Sequence, residues 1–280
     1  DLIIVVMRKN SALKVLPILA RNPSENVLFL MNNAAGSDEL VNALGAERVV
    51  MGFMGAAGYR EDEQVVYMNA EPDRPAMIYM GEIDGRITAR LEKIAALLEE
   101  GQHITVKLES NMDAWLKYHV ALLFPAFAPA LYLCGNDNYR FARTRDALIL
   151  AWRGVKEAVR VLRKLKIPVE PPVIKTFMLL PEPIAVWLLS RLNKNPRIEV
   201  AAVRHAKAIR DEIQQLNAEF MRLVQASGLF TPTIQFLMTQ YDERAHPLPD
   251  GSHSLKLDWS EVLIPLMLLV VLVLALMLIL

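Results

Sequence analysis

The sequence predicts an α/β domain followed by an all-α domain and a C-terminal transmembrane helix. Three observations carry that expectation. Continuous apolar runs alternate with amphipathic helical stretches through the first third of the chain. Nearly everything after Asp113 has helical periodicity. The last 19 residues hold no charge.

Residues 2–7, LIIVVM, form an unbroken apolar run of the kind that lies buried on both faces of a parallel sheet. Ser11 opens a helical stretch to Arg21 with Leu13, Leu16 and Leu19 on one side. Residues 26–31, NVLFLM, and 49–54, VVMGFM, read as further strands, with a short helix capped by Ser37-Asp38 between them. This β-α-β-α-β order implies a doubly wound parallel sheet. Residues 64–69 and 76–81 read as a pair of short antiparallel strands around the turn residues Pro72-Asp73-Arg74-Pro75. A helix over 86–100, with Leu91, Ile94, Ala95 and Leu98 on one face, and a strand over 103–108 complete the domain. Helices are expected near 113–133, 137–166, 173–192, 197–227 and 231–243, divided by Gly, Pro or Asn. The division is thus 1–109, 110–245, a polar Pro- and Gly-bearing linker at 246–261, and 262–280.

Residues 262–280 would make a helix about 28 Å long, close to the hydrocarbon thickness of a bilayer. They have no polar face, and Trp259 precedes them where an interfacial aromatic belongs. The sequence therefore predicts a single-pass C-terminal anchor in the lipid bilayer, with the body on the cytoplasmic side because no export signal is visible.

Among 280 residues, 31 Lys and Arg balance 31 Asp and Glu, which argues against a free nucleic-acid binder. A hydrophobic fraction of 53% with 22% charged residues excludes a disordered chain. Cys134 is the sole cysteine, so no internal disulfide forms. His103, His119 and His205 make no metal-binding pair, and no metal is expected.

Candidate site residues carry two readings each. Gly52, Gly55 and Gly58 follow a strand, but their spacing is not G-x-G-x-x-G and no helix follows, so they read as a connection. Asn32-Asn33 sit at the end of the second strand, where α/β sheets bind ligands and where turn chemistry also favours Asn. Lys117 opens an apolar helix; it either snorkels to solvent or, if desolvated, serves as a proton donor. Glu212 stands beside the apolar stripe Ile209, Ile213 and Leu216, an edge position or a functional carboxylate. The Arg140–Arg145 and Arg160–Lys166 clusters read as solvated helix faces.

Three segments together resemble the ketopantoate reductase (2-dehydropantoate 2-reductase) family. FLMNNAAG resembles its L-x-N-G-x-G segment, AWLKYHVA its W-x-K-x-x-x-N helix, and AIRDEIQQLNAEF its R-x-x-E-I-x-x-x-N-G helix. The resemblance runs from Asp1 to Tyr241 and implies a partial Rossmann-type NADP-binding domain whose nucleotide fingerprint lies upstream of Asp1. It places Lys117 and Glu212 as catalytic residues, Asn32 and Arg8 on the cofactor, and Asn217 on the substrate. It implies NADPH, a small 2-keto acid substrate, a Lys general acid, and compatibility with a homodimer. Ala121, Pro125 and Val200 stand where the family has Asn, Asn and Ser, so ketopantoate itself is expected to be a poor substrate. The alternative is a membrane-tethered, non-catalytic binding or structural protein on the same scaffold.

Overall fold

The computed structural model describes residues 1–67, 75–101, 103–204, 209–240, 247–264 and 267. A five-stranded sheet has the order β1-β2-β3-β6-β7, built from Leu2–Val5, Asn26–Leu30, Val49–Gly55, Ala76–Glu82 and Ile104–Leu108. β1, β2 and β3 are parallel; β6 runs antiparallel to β3 and parallel to β7. The strand period of two splits β2 cleanly. Val27 and Phe29 pack under helices α1 (Lys9–Arg21) and α2 (Asp38–Leu44), while Leu28 and Leu30 join Leu91 and Ile94 of α3 (Ala89–Glu99) on the other face. Helices therefore cover both faces of the sheet, as the alternation of elements implies.

Two strand expectations are corrected. β1 is an edge strand rather than one buried on both faces, and Ile4 is 42% exposed. A continuous apolar run records the absence of polar residues; it does not fix a strand's rank in the sheet. The two short strands do not pair with each other either. β5 (Gln64–Tyr67) forms a hairpin with β4 (Gly58–Glu61), and β6 enters the main sheet beside β3. Apolar β6 residues Ile78 and Met80 are buried, whereas β4 and β5 carry Arg60, Glu61 and Gln64 and gain little from a central position. Of the proposed turn, Pro72, Asp73 and Arg74 lie outside the described residues, as does His205.

The helical unit centres on α7 (Arg145–Lys164), a 20-residue helix buried along Ala147, Ile149, Ala151, Ala158 and Leu162. Around it stand α4 (Met112–Leu122), α5 (Ala128–Tyr132), α6 (Asn138–Arg143), α8 (Val173–Phe177), α9 (Glu182–Leu192), α10 (Pro196–Ile198), α11 (Arg210–Ser227) and α12 (Pro232–Thr239). Long helices expected from periodicity are subdivided. The 113–133 helix opens into a π-helical turn at Leu123–Phe127, where Pro125 cannot donate to the helical ladder. Thr144 is extended between α6 and α7, and Pro181 separates α8 from α9. α4 joins the two units: Met112, Trp115 and Leu116 enter the sheet core, and Tyr118, Val120 and Ala121 enter the helical core.

The expected membrane anchor is overturned. Among the described residues no helix is long and apolar enough to cross a membrane. Of 262–280 themselves, 265–266 and 268–280 lie outside the described residues. The stretch read as a linker is fastened along α7. Asp146 accepts from the Ser254 and Leu255 amides at 2.8 Å and from the Ser252 hydroxyl. Arg143 pairs with Asp250, and Arg153 Nη2 donates to the Lys256 carbonyl at 2.8 Å.

Candidate active site

A cleft of about 600 Å³ opens between the C-terminal ends of β1 to β3 and the start of α11. Arg8 and Asn32 line it from the sheet side, Glu212 from α11, and Phe53, His119 and Phe124 form its inner wall. The sheet supplies the first two because β1 and β2 both run toward this edge and stop there, at Val5 and Leu30.

The α1 start docks directly on α11. Arg8 Nη1 meets Asp211 Oδ1 at 2.9 Å, and Asn10 Nδ2 donates to Asp211 Oδ2 at 2.7 Å. The Asn10 hydrogen bond, with help from Arg8, lowers the Asp211 pKa. Arg8 is 43% exposed, so this pair adds less than about 1 kcal/mol and leaves the guanidinium at the cleft. Glu212 is buried; its Oε1 lies 3.5 Å from both the Lys9 amide, at the first turn of α1, and Asn32 Nδ2. A carboxylate there complements the α1 dipole. Asn32 Oδ1 is buried without a protein partner among the described residues.

One turn further along α11, Glu219 closes a second, fully interior contact. Its Oε1 lies 2.8 Å from Lys9 Nζ, with the two side chains 5% and 2% exposed. Its Oε2 accepts from the Ala34 and Ala35 amides at 3.2 Å. Lys9 Nζ also donates to Asn33 Oδ1 at 2.7 Å, and that oxygen accepts from the Ala35 and Gly36 amides. The loop after β2 is thereby fixed on both sides, which sets where Asn32 projects.

The other expected site residues fall elsewhere. Lys117 does not line the cleft; its ammonium pairs with Asp113 one turn earlier on α4, beside Gly36. Lys117 and Glu212 are thus not brought together in this conformation. Asn217 is buried, and neither end of its amide finds a partner among the described residues, but it is not part of the cleft lining. The α4 residue that does reach the cleft is His119. Its ring lies parallel to Trp115 at 5.3 Å and tilted against Phe53 at 4.1 Å. Burial pushes its pKa down to about 4, so it is neutral at pH 7.

Lys9, Asn33, Glu219 and His119 are the residues sequence reasoning missed. The signals were present: Glu219 follows Glu212 by seven positions, one face of a helix, and His119 follows Trp115 by four.

No family model matches the chain, and no curated protein matches it in sequence. Solved structures do match. D-mandelate dehydrogenase with NADH and anilino(oxo)acetate superposes with a TM-score of 0.67 at 17% identity, covering 86% of this chain and 75% of that one. A dimeric ketopantoate reductase from Staphylococcus aureus gives 0.62 at 13% identity, covering 86% and 76%. 2-Dehydropantoate 2-reductase from Geobacter metallireducens gives 0.61 at 16% identity, also covering 86% and 76%. The chain shares the fold of these nicotinamide-type reductases; at such identity the likeness speaks to fold alone.

Proposed function

We propose that the chain is a reductase of a small 2-keto acid that works with a nicotinamide cofactor, NADPH being the form the family resemblance favours. The observation that carries this reading is the meeting of Asn32 and Glu212, one from each unit, on the wall of a ligand-sized cleft that Arg8 also lines. Similar solved proteins described as a D-mandelate dehydrogenase with NADH and as ketopantoate reductases support the reaction class.

The residues present fit the nicotinamide end of such a cofactor. Asn32 Oδ1 is an unpaired buried acceptor suited to a carboxamide N–H, and Arg8 offers a cation beside it. They do not fit its pyrophosphate: the turn after β1 reads MRKN, and no G-x-G-x-x-G occurs in the sequence. When bound, a reduced nicotinamide supplies hydride to the carbonyl carbon. The chain must then orient the 2-keto acid, hold its carboxylate near Arg8, and deliver one proton to the carbonyl oxygen, giving the 2-hydroxy acid. Glu212 orients the substrate. Lys117 is the proposed proton donor, reached by rotation away from Asp113, and Asn217 is the proposed further substrate contact. The homologous dimer is compatible with this reading.

NADPH oxidation measured over a panel of 2-keto acids tests it. Glu212→Gln should reduce kcat/KM by about 10²-fold, and Lys117→Ala by at least as much if it is the acid. Absence of turnover with every acid would refute the reductase reading. A non-catalytic binding protein on this scaffold is the second reading, favoured by the Lys117–Asp113 pairing outside the cleft.

A further inference from the structure

The inner wall of the cleft has a composition that the reaction class alone does not require. Phe53 lies 5.2 Å from Trp115 and 4.1 Å from the His119 ring, and Phe124 meets His119 edge-on at 6.5 Å. Met54 and Leu123 continue the apolar surface toward the mouth. On the same stretch of chain, Ala121 and Pro125 are buried and offer no side-chain hydrogen bond. The polar groups, Arg8, Asn32 and Glu212, come from the β1 and β2 ends and from α11, whereas the ring wall comes from β3, α4 and the π-turn. A ligand with an anionic, hydrogen-bonding head and a flat apolar tail matches this division; one bearing hydroxyls on its tail would bury them unpaired against Phe53 and Phe124.

We infer that the cleft selects 2-keto acids whose side chain is an aromatic ring, the ring resting on Phe53, His119 and Phe124 and the carboxylate lying toward Arg8. This deepens the reductase reading and rests on it for the reacting group, but the wall's preference can be tested by binding alone. His119 supports it chemically. A neutral imidazole stacked on Trp115 presents a π surface, where an imidazolium would require a counter-ion that no neighbour on the wall provides.

The test compares three acids on the full chain: phenylglyoxylate, pyruvate, and a 2-keto acid with a hydroxylated aliphatic side chain. Affinity is measured by calorimetry and turnover by NADPH oxidation, with NADPH titrated separately. The aromatic acid should bind at least about tenfold more tightly than either other, the scale of a ring contact plus its buried area. Phe53→Leu keeps apolar volume and removes the ring; it should reduce that preference about 2- to 10-fold and leave NADPH affinity unchanged. Tighter aromatic binding without turnover would support this inference while sinking the reductase reading. Turnover with equal or better use of the aliphatic acids would overturn the inference and leave the reductase reading standing. Equal affinities without turnover would overturn both. If Phe53→Leu weakened NADPH rather than the aromatic acid, the ring wall would belong to the cofactor and the inference would fail.

Discussion

Replacing Lys9 with Met should be among the most damaging single changes in the protein. Lys9 and Glu219 are 2% and 5% exposed and meet at 2.8 Å. The substitution keeps the aliphatic stem and deletes the charge, so the loss is electrostatic rather than a cavity. Glu219 would remain buried with three neutral donors, the Ala34 and Ala35 amides and Gln215 Nε2. Removing one partner of a buried pair costs about 3–5 kcal/mol. Because those three donors still solvate the carboxylate, the low end applies, about 3 kcal/mol, or a urea midpoint lower by about 1 M or more. Lys9→Met/Glu219→Gln removes the stranded charge and should recover about 1–2 kcal/mol relative to Lys9→Met alone. Urea denaturation followed by circular dichroism measures both. The reasoning fails if Lys9→Met costs under about 1 kcal/mol, or if the double variant is no more stable than the single one. Because the same lysine holds Asn33, ligand affinity in the cleft should fall along with stability, through displacement of Asn32.

Three other outcomes follow from particular contacts. His119 has its folded pKa pushed from 6.5 to about 4, so the unfolded chain takes up the proton first; its contribution is fully present above pH 6.5 and is lost as pH falls through 4. That loss is at most about 3 kcal/mol, and about 1–2 for a ring edging an open cleft; His119→Gln should flatten the acid limb between pH 6.5 and 4, and an unchanged limb in thermal melts at each pH would show that another group dominates. Gly81→Ala would place a Cβ 2.2 Å from the Glu109 carbonyl oxygen, a backbone atom that cannot step aside, and 3.1 Å from Met112 Cβ. It should cost about 2–3 kcal/mol in a denaturant titration, and a neutral effect would contradict the β6–β7–α4 packing. Asp146→Ala frees the Ser254 and Leu255 amides; their hydrogen exchange should accelerate by about tenfold or more while α7 amides stay protected, and unchanged exchange would mean that the Arg143 and Arg153 contacts hold the segment without it.

The sequence by itself determined the layered α/β unit, the all-α unit and α4 at their junction, because these depend on local periodicity. In β2, Val27 and Phe29 alternate with Leu28 and Leu30 and so specify two packed faces before any partner is known. The segments containing Asn32, Arg8 and Glu212 were legible for the same reason: strand ends and a helix face are local features, and all three residues reach one cleft. Which residues share that cleft was decided only in three dimensions. The choice between Lys117 and His119 is a matter of helix rotation against Phe53, two positions on one helix pointing to opposite sides. The Lys9–Glu219 pair spans 210 positions, a separation at which no sequence period carries information. Strand rank, the β4–β5 hairpin and the course of 247–261 along α7 are likewise tertiary outcomes, since hydrogen bonds such as Asp146 to Leu255 choose partners by proximity. Apolarity alone predicted a membrane span at the C-terminus, but hydropathy measures only what a segment avoids; the surroundings decide what covers it, and no described helix is long and apolar enough to cross a membrane.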